Sequence, residues 1–132
     1  MHRALLLLVL LGCSDGPQWV QVYEVPKAKG YVDAKSLRKD GAYVRATLRS
    51  VFNEATTSPA LVKPHWALIS TVLIDCDAKA WTSIEYESFD AQGNTVEKGG
   101  GAPTLFYKVP NWEFPRGPQL YCDHVNKGRP LT

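Results

Sequence analysis

Apolar and polar positions alternate along much of the middle of the chain. Over residues 43–52, Val44, Ala46, Leu48, Ser50 and Phe52 fall on one side of an extended backbone and Arg45, Thr47 and Arg49 on the other. That is the pattern of a half-buried antiparallel strand. The same period returns over 80–89, where Ile84 and Tyr86 lie opposite Glu85 and Glu87. Between these stretches, 66–76 is apolar on both sides, with Trp66, Leu68, Val72 and Ile74 set against Ala67, Ile69 and Leu73. Such a run suits a central strand covered on both faces, and periodicity alone leaves a buried helix open. Residues 19–25, rich in Val, Trp and Tyr, read as a strand that Pro26 to Gly30 stops. Tyr31 to Asp33 is then a short extended piece, followed by polar residues 34–38.

The punctuation supports hairpins. Lys39-Asp40-Gly41 carries a hairpin-turn signal, residues 53–64 read as a loop, and 77–79 and 90–94 read as turns, the second leading into a strand over 95–98. Successive antiparallel strands joined by short turns make a meander. Gly99 to Gly101 reads as a flexible stretch; it lacks the Lys-Ser/Thr and helix that a phosphate-binding loop needs. Prolines 103, 110, 115 and 118 deny long elements to the last third, and a short helix turn opens at Pro118 and runs over 119–126. The fold class expected is mainly β (α+β): an antiparallel meander sheet with a short C-terminal helix.

The first thirteen residues change the picture of location. Met1-His2-Arg3 is a basic start, and residues 4–11 are uninterruptedly apolar. Eight helical residues cover about 12 Å, too short for a hydrocarbon core of roughly 30 Å. A basic start with a short apolar run is the plan of a secretory signal peptide. Its end, Leu10-Leu11-Gly12-Cys13, resembles the lipobox of bacterial lipoproteins, in which the chain is cut before a cysteine that then carries acyl chains. The alternative is an ordinary signal peptide with a cysteine nearby. On the lipoprotein reading, residues 1–12 are the leader, 13–18 the lipidated cysteine and a short tether spanning at most about 18 Å, and 19–132 the folded domain. On that reading Ser14, a residue other than Asp after the cysteine, points to the outer membrane. With Cys13 acylated, Cys76 and Cys122 remain as a pair in an oxidising compartment, so a disulfide between them is expected, holding the C-terminal helix down.

The chain has 132 residues, a formal charge of +2 and 21% charged residues. One domain fills that length, and the charge is too mild to imply nucleic-acid binding. For catalysis, His65 with Ser58, Ser70 and Asp75 nearby in sequence is the nearest approach to a nucleophile and base, and a surface histidine beside a Pro-rich loop is the plainer reading. His124 with Asp123 and Cys122 falls short of the three or four ligands that zinc requires. Glu85 and Glu87, about 7 Å apart on one strand face, read as the solvated side of a sheet. No catalytic residue, metal or cofactor is expected. A stripe of charge offers more: Lys35, Arg38, Lys39, Arg45 and Arg49, with Tyr43 beside them, are opposed only by Asp33 and Asp40. Arg38, Lys39, Tyr43, Arg45 and Arg49 form the candidate binding surface for sulfated glycans, acidic protein segments or lipid headgroups. The alternative is a solvated face that guards the sheet against aggregation.

The run Tyr31-Val32-Asp33-Ala34-Lys35-Ser36-Leu37-Arg38-Lys39-Asp40-Gly41, preceded by Trp19-Val20 and followed by the long alternating strand, resembles the surface-adhesin protein E-like family of small bacterial envelope proteins. Ile74-Asp75-Cys76, the aromatic strand after it and the closing Cys122 continue the likeness, which covers roughly residues 19–125. The stretch 109–118 departs from the family's Pro-Pro-Gly-Ser register before the helix. The resemblance implies an antiparallel sheet, a C-terminal helix fastened by a disulfide, and a non-enzymatic module binding host matrix or serum proteins. The second reading is a periplasm-facing accessory or inhibitor that binds another envelope protein; a homodimer is compatible with either.

Overall fold

The computed structural model describes residues 16–57, 61–101, 105–110, 112 and 117–132. The expected leader, Cys13, Ser14 and Ser58 lie outside the described residues. The elements are β1 (Trp19–Val25), β2 (Ala28–Asp33), a 3-10 turn (Ala34–Ser36), β3 (Arg38–Asp40), β4 (Tyr43–Thr56), β5 (His65–Asp75), β6 (Ala80–Phe89), β7 (Thr95–Gly99), β8 (Tyr107–Lys108) and α1 (Pro118–Lys127). The strands form one antiparallel sheet in the order β1-β2-β4-β5-β6-β7. β3 continues alongside β4 beyond the end of β2, and β8 continues alongside β6 beyond the end of β7. The mainly β meander with one C-terminal helix is therefore the observed fold. Among the described residues, no helix is long and apolar enough to cross a membrane.

Alternation decides which face is core. Val44 and Ala46 on β4 stand opposite Ile74 and Val72 on β5. All four are buried, with Val22 and Val32 from the neighbouring hairpin in the same cluster. Against this first face pack Tyr121 and Cys122 of α1, Trp112 and the C-terminal Leu131. Cys76, just past the end of β5, is bonded to Cys122 with the two Cα atoms 6.1 Å apart, so the expected disulfide is present. Trp112 donates its indole N–H to the Gln119 side chain and accepts the Gln119 amide on its carbonyl, which seats the first turn of α1. Pro118 at the first helical position needs no N–H partner there. At the other end Gly128, with φ of 69°, and Arg129 return their N–H groups to the carbonyls of His124 and Asp123.

Several expectations change. Residues 26–30 do not stop the chain: only Pro26 and Lys27 turn it, and Ala28 to Gly30 begin β2. Gly30 reads as a breaker in sequence, yet it lies beneath the Tyr23 ring, where an added Cβ would come within 1.9 Å of that ring. The hairpin after Arg38 turns at Gly41 and Ala42, so Lys39 and Asp40 are strand residues paired with Val44 and Tyr43. β4 extends to Thr56 with an irregularity after Val51, so the following loop starts later than expected. Gly99 closes β7, and Gly101 donates its N–H to the Ile84 carbonyl at 3.3 Å, so this stretch is pinned to the sheet. A Cβ on Gly101 would meet the Ser83 carbonyl oxygen at 1.6 Å; the absent side chain permits the approach. α1 is a full ten-residue helix.

Candidate functional site

The second face of the sheet presents the polar half of each alternation. Across one row of cross-strand partners stand Gln21, Tyr31, Arg49, Ile69, Glu87 and Lys98. The Arg49 guanidinium lies 5.8 Å from the Trp19 ring centroid and 5.7 Å from that of Tyr31, within cation–π range of both. Arg45 makes a bidentate-like contact to one carboxylate oxygen of Asp40, with Nε and Nη2 each at 2.9 Å. Tyr43 meets Phe106, ring centroids 4.8 Å apart. That pair closes the end of the face nearest the β5–β6 turn, where Thr82 is buried. The end nearest the β6–β7 turn stays open.

The five residues of the expected binding surface are thus not equivalent. Arg38 pairs across from Arg45 and Tyr43 across from Asp40, so they share the second face with Arg45 and Arg49. Lys39 pairs across from Val44 and belongs to the opposite, helix-covered side, where it borders a cleft with Cys76 and Asn126. Lys35 donates to the Gly16 carbonyl at 3.1 Å and stands apart from the row. The signal for Arg49's environment was present in Trp19 and Tyr31, two aromatics on the outward side of their strands, but their convergence depends on strand order. Glu87 and Lys98, directly across from each other on β6 and β7, complete the far side of the row; Thr95 donates its hydroxyl to Glu87.

The residues weighed for catalysis or metal binding are placed otherwise. His65 is 2% exposed and its ring packs edge-on to Phe52 at 5.6 Å, which corrects the expectation of a surface histidine. Its Nδ1 faces the Lys63 carbonyl at 3.1 Å. Ser70 bonds Ser83 at 3.1 Å, and Asp75 accepts the Ala78 amide at 3.0 Å. His124 bonds the Arg129 carbonyl through Nδ1, and Cys122 is in the disulfide. Asp123 anchors the end of α1: the Gln119 amide donates to it at 2.8 Å, and Lys127 and Arg129 lie 3.4 and 3.5 Å away. The Gln119 hydrogen bond foremost, with those two cations, holds its carboxyl below the usual carboxylate range, although partial desolvation pushes the other way.

Besides the small cleft beside Lys39, the described residues enclose larger spaces open to a partner. One, of about 390 Å³, lies on the helix side among Tyr23, Leu48, Trp81, Pro110 and Tyr121. Two lie on the second face and share Ile69. The first, about 540 Å³, reaches from Arg49 and Val51 to Phe89; the second, about 500 Å³, runs to Glu85, Glu87 and Lys98.

The family model described as surface-adhesin protein E matches residues 19–111, which contain every strand of the sheet. The chain belongs to the surface-adhesin protein E family. Membership places it with surface adhesin-like proteins of the bacterial envelope, a class that suggests a binding rather than an enzymatic role. No curated protein and no solved structure matches it. The match ends before α1, so the adhesin E region comprises the sheet with its two faces, and the disulfide ties the segment beyond the match back onto it.

Proposed function

We propose that the protein is an outer-membrane lipoprotein, anchored through acylated Cys13, whose sheet binds a protein partner in the manner of an adhesin, with host matrix or serum proteins as the partner class. The observation that carries this reading is the division of labour between the two faces. α1, Trp112 and Leu131 occupy one, while the open end of the other offers Arg49 and Lys98 without any carboxylate partner among the described residues. A face left uncovered and charged in a small domain suits recognition. The family match supports the adhesin-like class. A tether of at most about 18 Å supports a second reading, a periplasm-facing accessory or inhibitor, because a surface adhesin has to reach past surface polysaccharide. Fatty-acid labelling of wild type and Cys13→Ser, followed by protease shaving of intact and permeabilised cells, separates them. Label lost with Cys13→Ser and cleavage in intact cells are expected. Unlabelled wild type removes the anchor, and protection until permeabilisation replaces the adhesin with the periplasmic protein.

A further inference from the structure

The geometry points to the open end of the second face as the seat of an extended partner segment that carries both an acidic and a basic side chain. This inference rests on the protein-binding reading and names the chemistry of what is bound. The surface is a trough whose floor is apolar, with Val51, Ala67, Ile69 and Phe89 contributed in register by β4, β5 and β6. One wall carries the cation Arg49 and the other the carboxylates of Glu85 and Glu87, with Lys98 across from Glu87. Arg49 stands on β4 and Glu87 on β6, with Ile69 between them in the same row. Two strand spacings separate the walls, about 9.5 Å. The two clefts, of about 540 and 500 Å³, meet at Ile69 and together run from one wall to the other.

The charges on these walls are available, whereas several elsewhere are not. Arg45 is matched by Asp40, Lys27 by Glu54, and Lys127 and Arg129 by Asp123. Among the described residues Arg49 has only the rings of Trp19 and Tyr31. Among the described residues the side chains of Glu85 and Lys98 have neither an ion pair nor a hydrogen bond, and Glu87 accepts one from Thr95. A wholly acidic segment would set carboxylates against Glu85 and Glu87, and a wholly basic one would set cations against Arg49 and Lys98. Like-charge contact at an interface is penalised more than matched contact is rewarded. Complementarity therefore selects a segment with one charge of each sign. Extended backbone advances about 3.3 Å per residue, so acid and base lie two to four residues apart. An apolar side chain between them falls on Ile69.

The test uses the isotope-labelled full chain and three blocked peptides: Thr-Asp-Thr-Val-Thr-Lys-Thr, the same peptide with Lys replaced by Asp, and the same with Asp replaced by Lys. Amide-shift titration is expected to show the mixed peptide moving Arg49, Ile69 and Glu87, at least fivefold more tightly than either single-sign peptide. Glu87→Gln should abolish that preference. Glu87→Lys should turn it toward the all-acidic peptide, while the remaining amide spectrum confirms the fold. Equal response to all three peptides, shifts that map to α1, or no shift at several millimolar peptide would overturn the trough. Capture of immobilised matrix proteins, run in parallel with wild type and Glu87→Lys, keeps the two readings apart. Capture that ignores Glu87→Lys sinks the trough and leaves the adhesin reading standing; peptide binding without any capture does the reverse.

Discussion

At Ser36 a single hydroxyl donates to the Asp33 carbonyl at 2.6 Å and accepts the Thr47 amide at 2.8 Å. Thr47 needs that acceptor because β2 pairs with β4 down to Leu48 and β3 only from Arg45, leaving an interval in the edge of β4. Asp33 fixes the same corner by accepting the amides of Lys35 and Gln18 at 3.0 and 2.9 Å. The Tyr-x-Asp-x-x-Ser run that carried the family resemblance is thus a device for stepping from one strand to the next beside β4. Ser36→Ala should lower stability by about 1–2 kcal/mol in denaturant titration, since it leaves a partly buried N–H unbonded. Hydrogen exchange at Thr47 should speed up more than at Thr71. A variant as stable as wild type, with Thr47 equally protected, would show that water replaces the hydroxyl without loss. Lys39 illustrates why the binding surface was only partly legible. Side chains alternate with period two, so setting the turn at 39–41 instead of at Gly41 and Ala42 moves Lys39 to the wrong face.

Among the elements, α1 depends most on a covalent bond. It buries Pro118, Tyr121 and Cys122 on the sheet, a modest contact for ten residues, and short helices are marginal by themselves. The Cys76–Cys122 bond closes a separation of 46 residues, which removes about 4 kcal/mol of denatured-state entropy in the chain-entropy model. Reduction, or Cys76→Ser with Cys122→Ser, should release α1 first, lower the melting temperature and expose Val44 and Ile74, while β1 to β6 keep slow amide exchange. Uniform loss of protection across sheet and helix would mean that the helix and sheet melt as one unit. The strands β4 and β6 were legible because their alternation is long; β5 was legible as a continuous apolar run, for which periodicity alone also left a buried helix open. β2 was legible only from Tyr31 to Asp33: Gly30 carries no side chain to show the period, and its burial against Tyr23 emerges only once β1 folds beside it. The helix was legible from Pro118 and Cys122, but its length was set by the Trp112 side chain seated on Gln119 at its start and by Gly128, which turns left-handed and caps the carbonyl of His124 at its end.

For the whole molecule, the sheet is closed on the helix side, closed at one end of the other side by Tyr43 and Phe106, and open at the remaining end. Which strands neighbour which decides this, and strand order was legible only as a meander; β3 and β8, the short pieces that extend the second and last columns, carry two or three residues each and no period to read. The cysteine bond has a mechanical consequence as well. Under tension applied at the two chain ends, load passes from Cys76 directly to Cys122 and bypasses everything between them. β6, β7 and β8 lie within that bypassed loop, and with them Glu87 and Lys98, while β1 and β2 remain in the load path. A molecule stretched to its full length with the bond intact should be shorter by about 160 Å than the reduced one, taking up to 3.6 Å per residue over the 46-residue separation. Force spectroscopy with handles at both termini, in oxidising and reducing buffer, measures the difference; equal lengths would mean the bond does not shield the loop. A chain held at one end and pulled at the other would then give way first among the strands outside the loop, and the segment that holds Glu87 and Lys98 would carry none of the strain.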